Sequence, residues 1–273
     1  MRETEASPPA LVSQFLVSQL ELEFIAIGGR THLRRAYSRG ALKVLRPFPY
    51  GEGLVLQLLT LGPGLMGGDQ VEIRVHVAPG AKVILLNQSA TKVLPARGYR
   101  PVVQRLLFRV EGFLEYYPGL TIPHPASALD QRMEVSLGTE ASFSWMEMYA
   151  LGRLARGEVG KFKWIRARTA IFGQVPFYMD ALELLPEELG PNHPGVLEGH
   201  PYLVCGFWNW ESHPFFEETE NGLLGVGLTA FRHSFLRGIG NKEVTQRALK
   251  IWSQERALRG LPAVDVMRYS SAL

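Results

Sequence analysis

The chain has 273 residues, 46% hydrophobic and 20% charged, a composition able to bury a substantial core within one large domain. Its formal net charge is +3 and its Lys and Arg are scattered along the sequence, which argues against a nucleic-acid-binding face. The single cysteine, Cys205, excludes an internal disulfide and a thiolate-rich zinc site, and reads as a small buried hydrophobe in a reducing compartment.

In chain order, residues 1–20 read as an N-terminal extension. Glu3 and Glu5 precede Pro8 and Pro9, and the apolar run that follows is broken by Ser13, Gln14, Ser18 and Gln19. This lacks the basic start and clean apolar stretch of a secretory signal. No later run is long enough to span a bilayer, so a cytoplasmic chain without membrane association is expected. Residues 21–273 read as a single β-rich domain. Leu61-Gly62-Pro63-Gly64-Leu65-Met66-Gly67-Gly68-Asp69 is the most glycine-dense stretch. A phosphate-cradling loop would continue into Lys-Ser/Thr and a helix, whereas here Asp69 and Gln70 lead into an alternating segment. The glycines are expected to supply positive φ and close backbone packing.

Val71 to Val77 alternates with period two, Pro79-Gly80 turns the chain, and Lys82 to Leu86 follows. Similar units run from Leu106 to Tyr117, turning at Glu111-Gly112, and from Met133 to Trp145, turning near Gly138. The glycines are spaced by 32 and 26 residues, too unevenly for an exact repeat. The expected fold is mainly β, with many antiparallel strands in a meander or solenoid-like stack. Further hairpins are expected at Lys161–Phe172, Pro176–Leu185, Tyr202–Trp210 and Leu223–Phe231, with a surface loop over Pro186–His200. Near the end, Asn241 is a candidate helix N-cap, and Val244, Ala248, Ile251 and Trp252 share one face. Gly260 and Pro262 end this amphipathic helix, which is expected to cover a face or end of the sheet.

No catalytic motif accompanies these elements. The seven histidines form no i,i+2 or i,i+4 pair, and neither an H-E-x-x-H nor a G-x-S-x-G motif occurs. The unusual feature is four carboxylates in apolar or glycine-rich surroundings: Asp69, Glu115, Glu147 and Asp180. An unpartnered buried carboxylate is costly, so each needs an arginine, a donor network, water or a metal. Arg153, Arg156 or another arginine is the candidate partner, which would make these ordinary structural pairs. A polar passage lined by oxygen ligands is the other reading. Two further possibilities are a metal-dependent enzyme of a β-barrel or sandwich type, with His124 or His76 converging on Glu115, and a purely structural binding module.

Several motifs resemble one known family. Gly67-Gly68-Asp69, Gly80-Ala81, Gln88-Ser89-Ala90-Thr91-Lys92, Leu114-Glu115-Tyr116-Tyr117-Pro118, Thr121-Ile122-Pro123 and Gly152-Arg153-Leu154-Ala155-Arg156-Gly157-Glu158 occur in this order. With Arg46-Pro47-Phe48 upstream and the Trp252 helix downstream, the chain is similar to the urease accessory protein UreD (UreH) family. Leu86-Asn87 departs from the Thr-Thr common there, Tyr116 stands where the family often has Trp, and the family often has a Phe near the position of His124. The resemblance implies a non-enzymatic urease maturation factor that joins UreF and the GTPase UreG, docks on apo-urease and helps deliver nickel. It also implies transient nickel with no tightly bound cofactor, and an internal path that maps onto Asp69, Thr91, Glu147 and Asp180. Lys92, Glu115, His124, Arg153 and Glu158 fall in or beside the matching motifs as further site candidates.

Overall fold

Alternating apolar residues make strands with one dry face, and this chain stacks two sheets of them on a shared core. The computed structural model of the chain describes residues 15–264 other than 96, 97, 99, 189, 191, 194–196 and 263. The hairpin β1 (Val17–Ile27) and β2 (Arg30–Arg39) is followed by the short β3 (Leu42–Val44) and β4 (Phe48–Tyr50), then β5 (Gly53–Thr60) and β6 (Leu65–Met66). Next come β7 (Gln70–Val77), β8 (Lys82–Asn87), β9 (Thr91–Leu94), β10 (Val102–Val110), β11 (Phe113–Pro123), β12 (Ala128–Leu137) and β13 (Ser142–Ala150). The remaining strands are β14 (Trp164–Phe172), β15 (Pro176–Leu184), β16 (Tyr202–Trp208), β17 (Phe215–Thr219), β18 (Gly222–Leu228) and β19 (Ser234–Gly240). Helix α1 (Lys242–Leu258) follows them.

The expectation of a mainly β domain with one late helix holds, and of the two stacking arrangements the chain takes the solenoid-like one. Its strand–turn–strand units are not antiparallel hairpins. β7 lies in a seven-stranded sheet A ordered β15-β14-β12-β10-β7-β1-β2, whereas β8 lies in a twelve-stranded sheet B along β17-β18-β19-β16-β13-β11-β8-β5-β3. The turn at Ala78–Ala81 therefore carries the chain from one sheet to the other, and so do the turns near Gly112 and Gly138. Within each sheet the neighbours come from successive units and run parallel: β7/β10/β12/β14 in sheet A and β8/β11/β13 in sheet B. Period-two alternation is the same for either pairing, which is why it did not distinguish them. Antiparallel pairing is kept at the flanks, in β1/β2, β14/β15 and the β13/β16/β19/β18/β17 run.

The core between the sheets is built from inward residues such as Leu20, Val75, Phe108, Phe143 and Trp145. β1 begins at Val17 and pairs along its length with β2 and β7, so Val17 to Leu20 belong to sheet A and not to an extension. Residues 1–14 lie outside the described residues, as does part of the Pro186–His200 loop. Helix α1 is capped by the Asn241 side chain, which accepts from the Glu243 amide at 3.1 Å. It lays Val244, Ala248, Ile251 and Trp252 on the outer face of sheet B, against Tyr117, Met146, Met148 and Leu236.

Candidate functional site

Strand β13 places alternate residues on opposite faces of sheet B. Phe143, Trp145, Glu147 and Tyr149 turn inward, while Met146 and Met148 turn toward the helix. Glu147 is thereby buried between the sheets. Its carboxylate accepts from Gln131 Nε2 of β12 at 2.8 Å and from the Tyr149 hydroxyl at 2.7 Å. Both donors are neutral, and among the described residues no Lys, Arg or His nitrogen pairs with it directly. Burial raises the Glu147 carboxyl above the ordinary carboxylate range, against the lowering effect of the two hydrogen bonds and of nearby Arg237. Burial and the Glu147 charge also raise the Tyr149 phenol.

The strand register extends this polar patch sideways. Glu147 pairs with Cys205 of β16, and Cys205 pairs with Arg237 of β19. Arg237 forms an ion pair with Asp180 of β15 in sheet A, and its Nη2 donates to the Tyr178 hydroxyl at 3.2 Å. Cys205 is buried, and that burial pushes its thiol up to about 12. The interior therefore offers two carboxylates, one thiol and two phenols near a single guanidinium. Carboxylate oxygens suit a divalent cation held loosely, whereas a thiol kept protonated is a poor ligand and adds no tight anchor. Among the described residues no three His, Cys, Asp or Glu side chains converge into a closed metal cage.

Of the four expected path residues, the structure brings Glu147 and Asp180 together and sets the others apart. Asp69 is buried before β7, and both its oxygens are engaged by backbone. Oδ1 accepts from the Leu16 amide at 3.1 Å and Oδ2 from the Met66 amide at 2.9 Å. Thr91 opens β9 in register with Thr121 of β11, which is in turn in register with Tyr149. Asn87, one of the departures from the family pattern, donates to the Thr91 hydroxyl at 3.2 Å. Thr91 and Lys92 line a groove of about 390 Å³ with Gly62, Pro63 and Gly64. The glycine loop has the expected positive φ, and a Cβ at Gly64 would lie 2.6 Å from the Lys92 carbonyl oxygen.

Glu115 faces the opposite side of sheet B. Under the helix it is ion-paired with Arg256, which also donates to the Tyr50 hydroxyl at 2.6 Å and to the Pro262 carbonyl at 2.8 Å. The arginines paired with Glu115 and Asp180 are thus Arg256 and Arg237, and not Arg153 or Arg156, the two named from sequence. Arg153 instead grips Glu158 through two 2.6 Å bonds. The chain enters this turn through Gly152, just before Arg153, where φ is +134° and a Cβ would fall 2.2 Å from the Glu158 carbonyl oxygen. His124 lies near this pair and near Lys92, and burial lowers its imidazole. Lys92, His124, Arg153 and Glu158 thus form a second polar group. His76 binds Glu111 at 2.9 Å, so neither histidine converges on Glu115 and the proposed His–Glu115 metal centre is not formed.

Gln131, Tyr149, Thr121 and Arg237 were not singled out from sequence. Tyr149 could have been, since it stands two residues after Glu147 and shares its face. Arg237 and Gln131 lie in separate strands and carry no local signal.

The UreD urease accessory protein family matches residues 17–228 of the chain. A urease accessory protein UreD of Deinococcus radiodurans is 36% identical over 212 residues, covering 75% of this chain and 75% of that protein. One of Nostoc punctiforme is 30% identical over 250 residues, covering 86% and 88%. One of Thermosynechococcus vestitus is 31% identical over 198 residues, covering 70% and 72%.

Proposed function

The chain belongs to the UreD family of urease accessory proteins, and from that premise we propose that it is a non-catalytic scaffold through which nickel passes. With UreF and the GTPase UreG it docks on apo-urease and hands the ion on by way of the polar space between its sheets. Urease maturation is the role of the family; the partners, the docking and the nickel route are the proposal. The observation that carries it is Glu147, a carboxylate buried between two sheets and held only by neutral donors. A structural acid in such a place would be expected to have a cation against it, as Glu115 has. Thr91, Thr121 and Tyr149 lie side by side in register, and Cys205 and Asp180 lie beyond Glu147, so polar groups are strung across the interior and not gathered at one point. A chain of weak oxygen ligands binds an ion without trapping it.

The test is co-expression with UreF, UreG and apo-urease, followed by a pull-down and a urease assay. The wild-type chain is expected to associate and to activate. Glu147→Gln and Asp180→Asn are expected to associate normally and to activate poorly. Association with none of the three proteins would overturn the scaffold role. Full activation by both variants would overturn the internal route.

A further inference from the structure

Arg237 holds an unusual position. Glu147, Cys205 and Arg237 form a row across three adjacent strands of sheet B, one register step apart. From the end of that row the guanidinium reaches across to sheet A, pairing with Asp180 and Tyr178. Its Nη1 is buried and has no hydrogen-bond partner. The side chain as a whole is 35% exposed. Its outer side lines an apolar groove of about 490 Å³, together with Leu203, Phe216, Leu223, Phe235 and Ile239. This groove lies along β16–β19, the strands of sheet B that follow β13 in sheet order. Arg237 therefore stands at the boundary between an open groove and the closed interior that holds Glu147.

We propose that the Arg237 guanidinium is a resident counter-cation that occupies the Asp180 end of the interior and must swing into the groove before a divalent cation can take its place. This rests on the nickel route proposed above and adds its control. A guanidinium and a divalent ion cannot share one carboxylate in a poorly hydrated space, because like charges at that distance repel strongly. Leaving is also favourable to Arg237 in one respect: its unpartnered Nη1 gains water once it reaches the groove. The consequence is an interior that stays neutralised when empty and does not retain stray metal. Arg237 acts here as a positioning residue, governing when Asp180 is free.

The experiment measures Ni²⁺ affinity of the purified full-length chain by competition with a metallochromic indicator. Removal of the competing charge in Arg237→Gln is expected to tighten Ni²⁺ binding by about tenfold or more. Adding Asp180→Asn to that variant should return affinity to the wild-type level. Arg237→Met, which keeps the apolar stem, serves as the second neutral variant and should behave as Arg237→Gln does. Unchanged or weaker Ni²⁺ binding in either folded variant overturns the proposal. If neither neutral variant folds, Arg237 is an obligatory structural cation, and the proposal is overturned as well. The two ideas fail separately. Poor urease activation by Glu147→Gln together with unchanged affinity in Arg237→Gln keeps the route and rejects the counter-cation. Normal activation by Glu147→Gln and Asp180→Asn rejects the route, whatever the affinity shows.

Discussion

Replacing Glu147 by Gln should stabilise the protein progressively as pH rises, and the slope of that effect is the informative quantity. Burial raises the folded-state carboxyl, so the folded chain holds this proton more tightly than the unfolded chain does. Stability from the group is then fully present below the unfolded value, about 4.3 for a glutamate, and is lost as pH rises through the folded value. Glutamine does not ionise and escapes that loss. The stability difference, variant minus wild type, should therefore grow by up to about 1.4 kcal/mol per pH unit across this window and level off above it. A constant offset runs the other way. Glutamine offers one acceptor oxygen where Gln131 and Tyr149 now use two, a loss of about 1 kcal/mol at every pH. Urea unfolding of both proteins between pH 5 and 9, followed by tryptophan fluorescence, separates slope from offset. A difference independent of pH would refute the reasoning, because it would mean that Glu147 is ionised in the folded protein without penalty.

Arg256→Met should cost about 3–5 kcal/mol in denaturant unfolding, since it strands the Glu115 carboxylate under the helix. Pairing it with Glu115→Leu should recover most of that loss, and a double variant as unstable as the single one would show that the ion pair is not the cause. Asn241→Ala should lower stability by about 1 kcal/mol through the lost helix cap, read as a shift in the urea midpoint without a change in slope. Gly152→Ala should cost about 1–3 kcal/mol from its left-handed backbone alone, and more if the Glu158 carbonyl does not yield. Arg153→Ala, which removes a pair that is partly exposed to solvent, should cost much less than Gly152→Ala. Equal losses for the last two would contradict a turn set by backbone geometry.

Local features of this fold are written in short windows, and those were legible. Asn241 and the 3.6-residue spacing of Val244, Ala248, Ile251 and Trp252 set the helix and its cap, and the Gly62–Gly68 loop takes the positive φ its glycines permit. Pairing was not legible. Pro79-Gly80 between two alternating segments fits a hairpin as well as it fits a corner between sheets, because side-chain alternation does not record which strand lies alongside. The same limit applies to the site. Asp69, Glu115, Glu147 and Asp180 stood out because a charge in an apolar window is a local anomaly. Most of their partners lie in other elements: Gln131 is 16 positions from Glu147, Leu16 is 53 from Asp69, Arg237 is 57 from Asp180 and Arg256 is 141 from Glu115.

Glu115 and Glu147 bear differently on the two readings that sequence left open. Both are glutamates buried in neighbouring parallel strands of sheet B, and both look equally out of place in their windows. Strand parity sends them to opposite faces. Glu115 meets the guanidinium of Arg256, itself held by Tyr50, Pro262 and the Trp252 ring, so a metal ion there would have to break a network that fastens the helix to the sheet. Glu147 meets an amide and a phenol, both able to reorient, and its nearest cation is already committed to Asp180. A divalent ion at Glu147 displaces at most a proton and two neutral donors, whereas at Glu115 it displaces a buried ion pair. Under the proposed route the first exchange would leave the fold intact, and the second would strand a buried charge. On the proposed route, then, the ion would travel along the face of sheet B that looks toward sheet A, while the face under the helix keeps its buried ion pair.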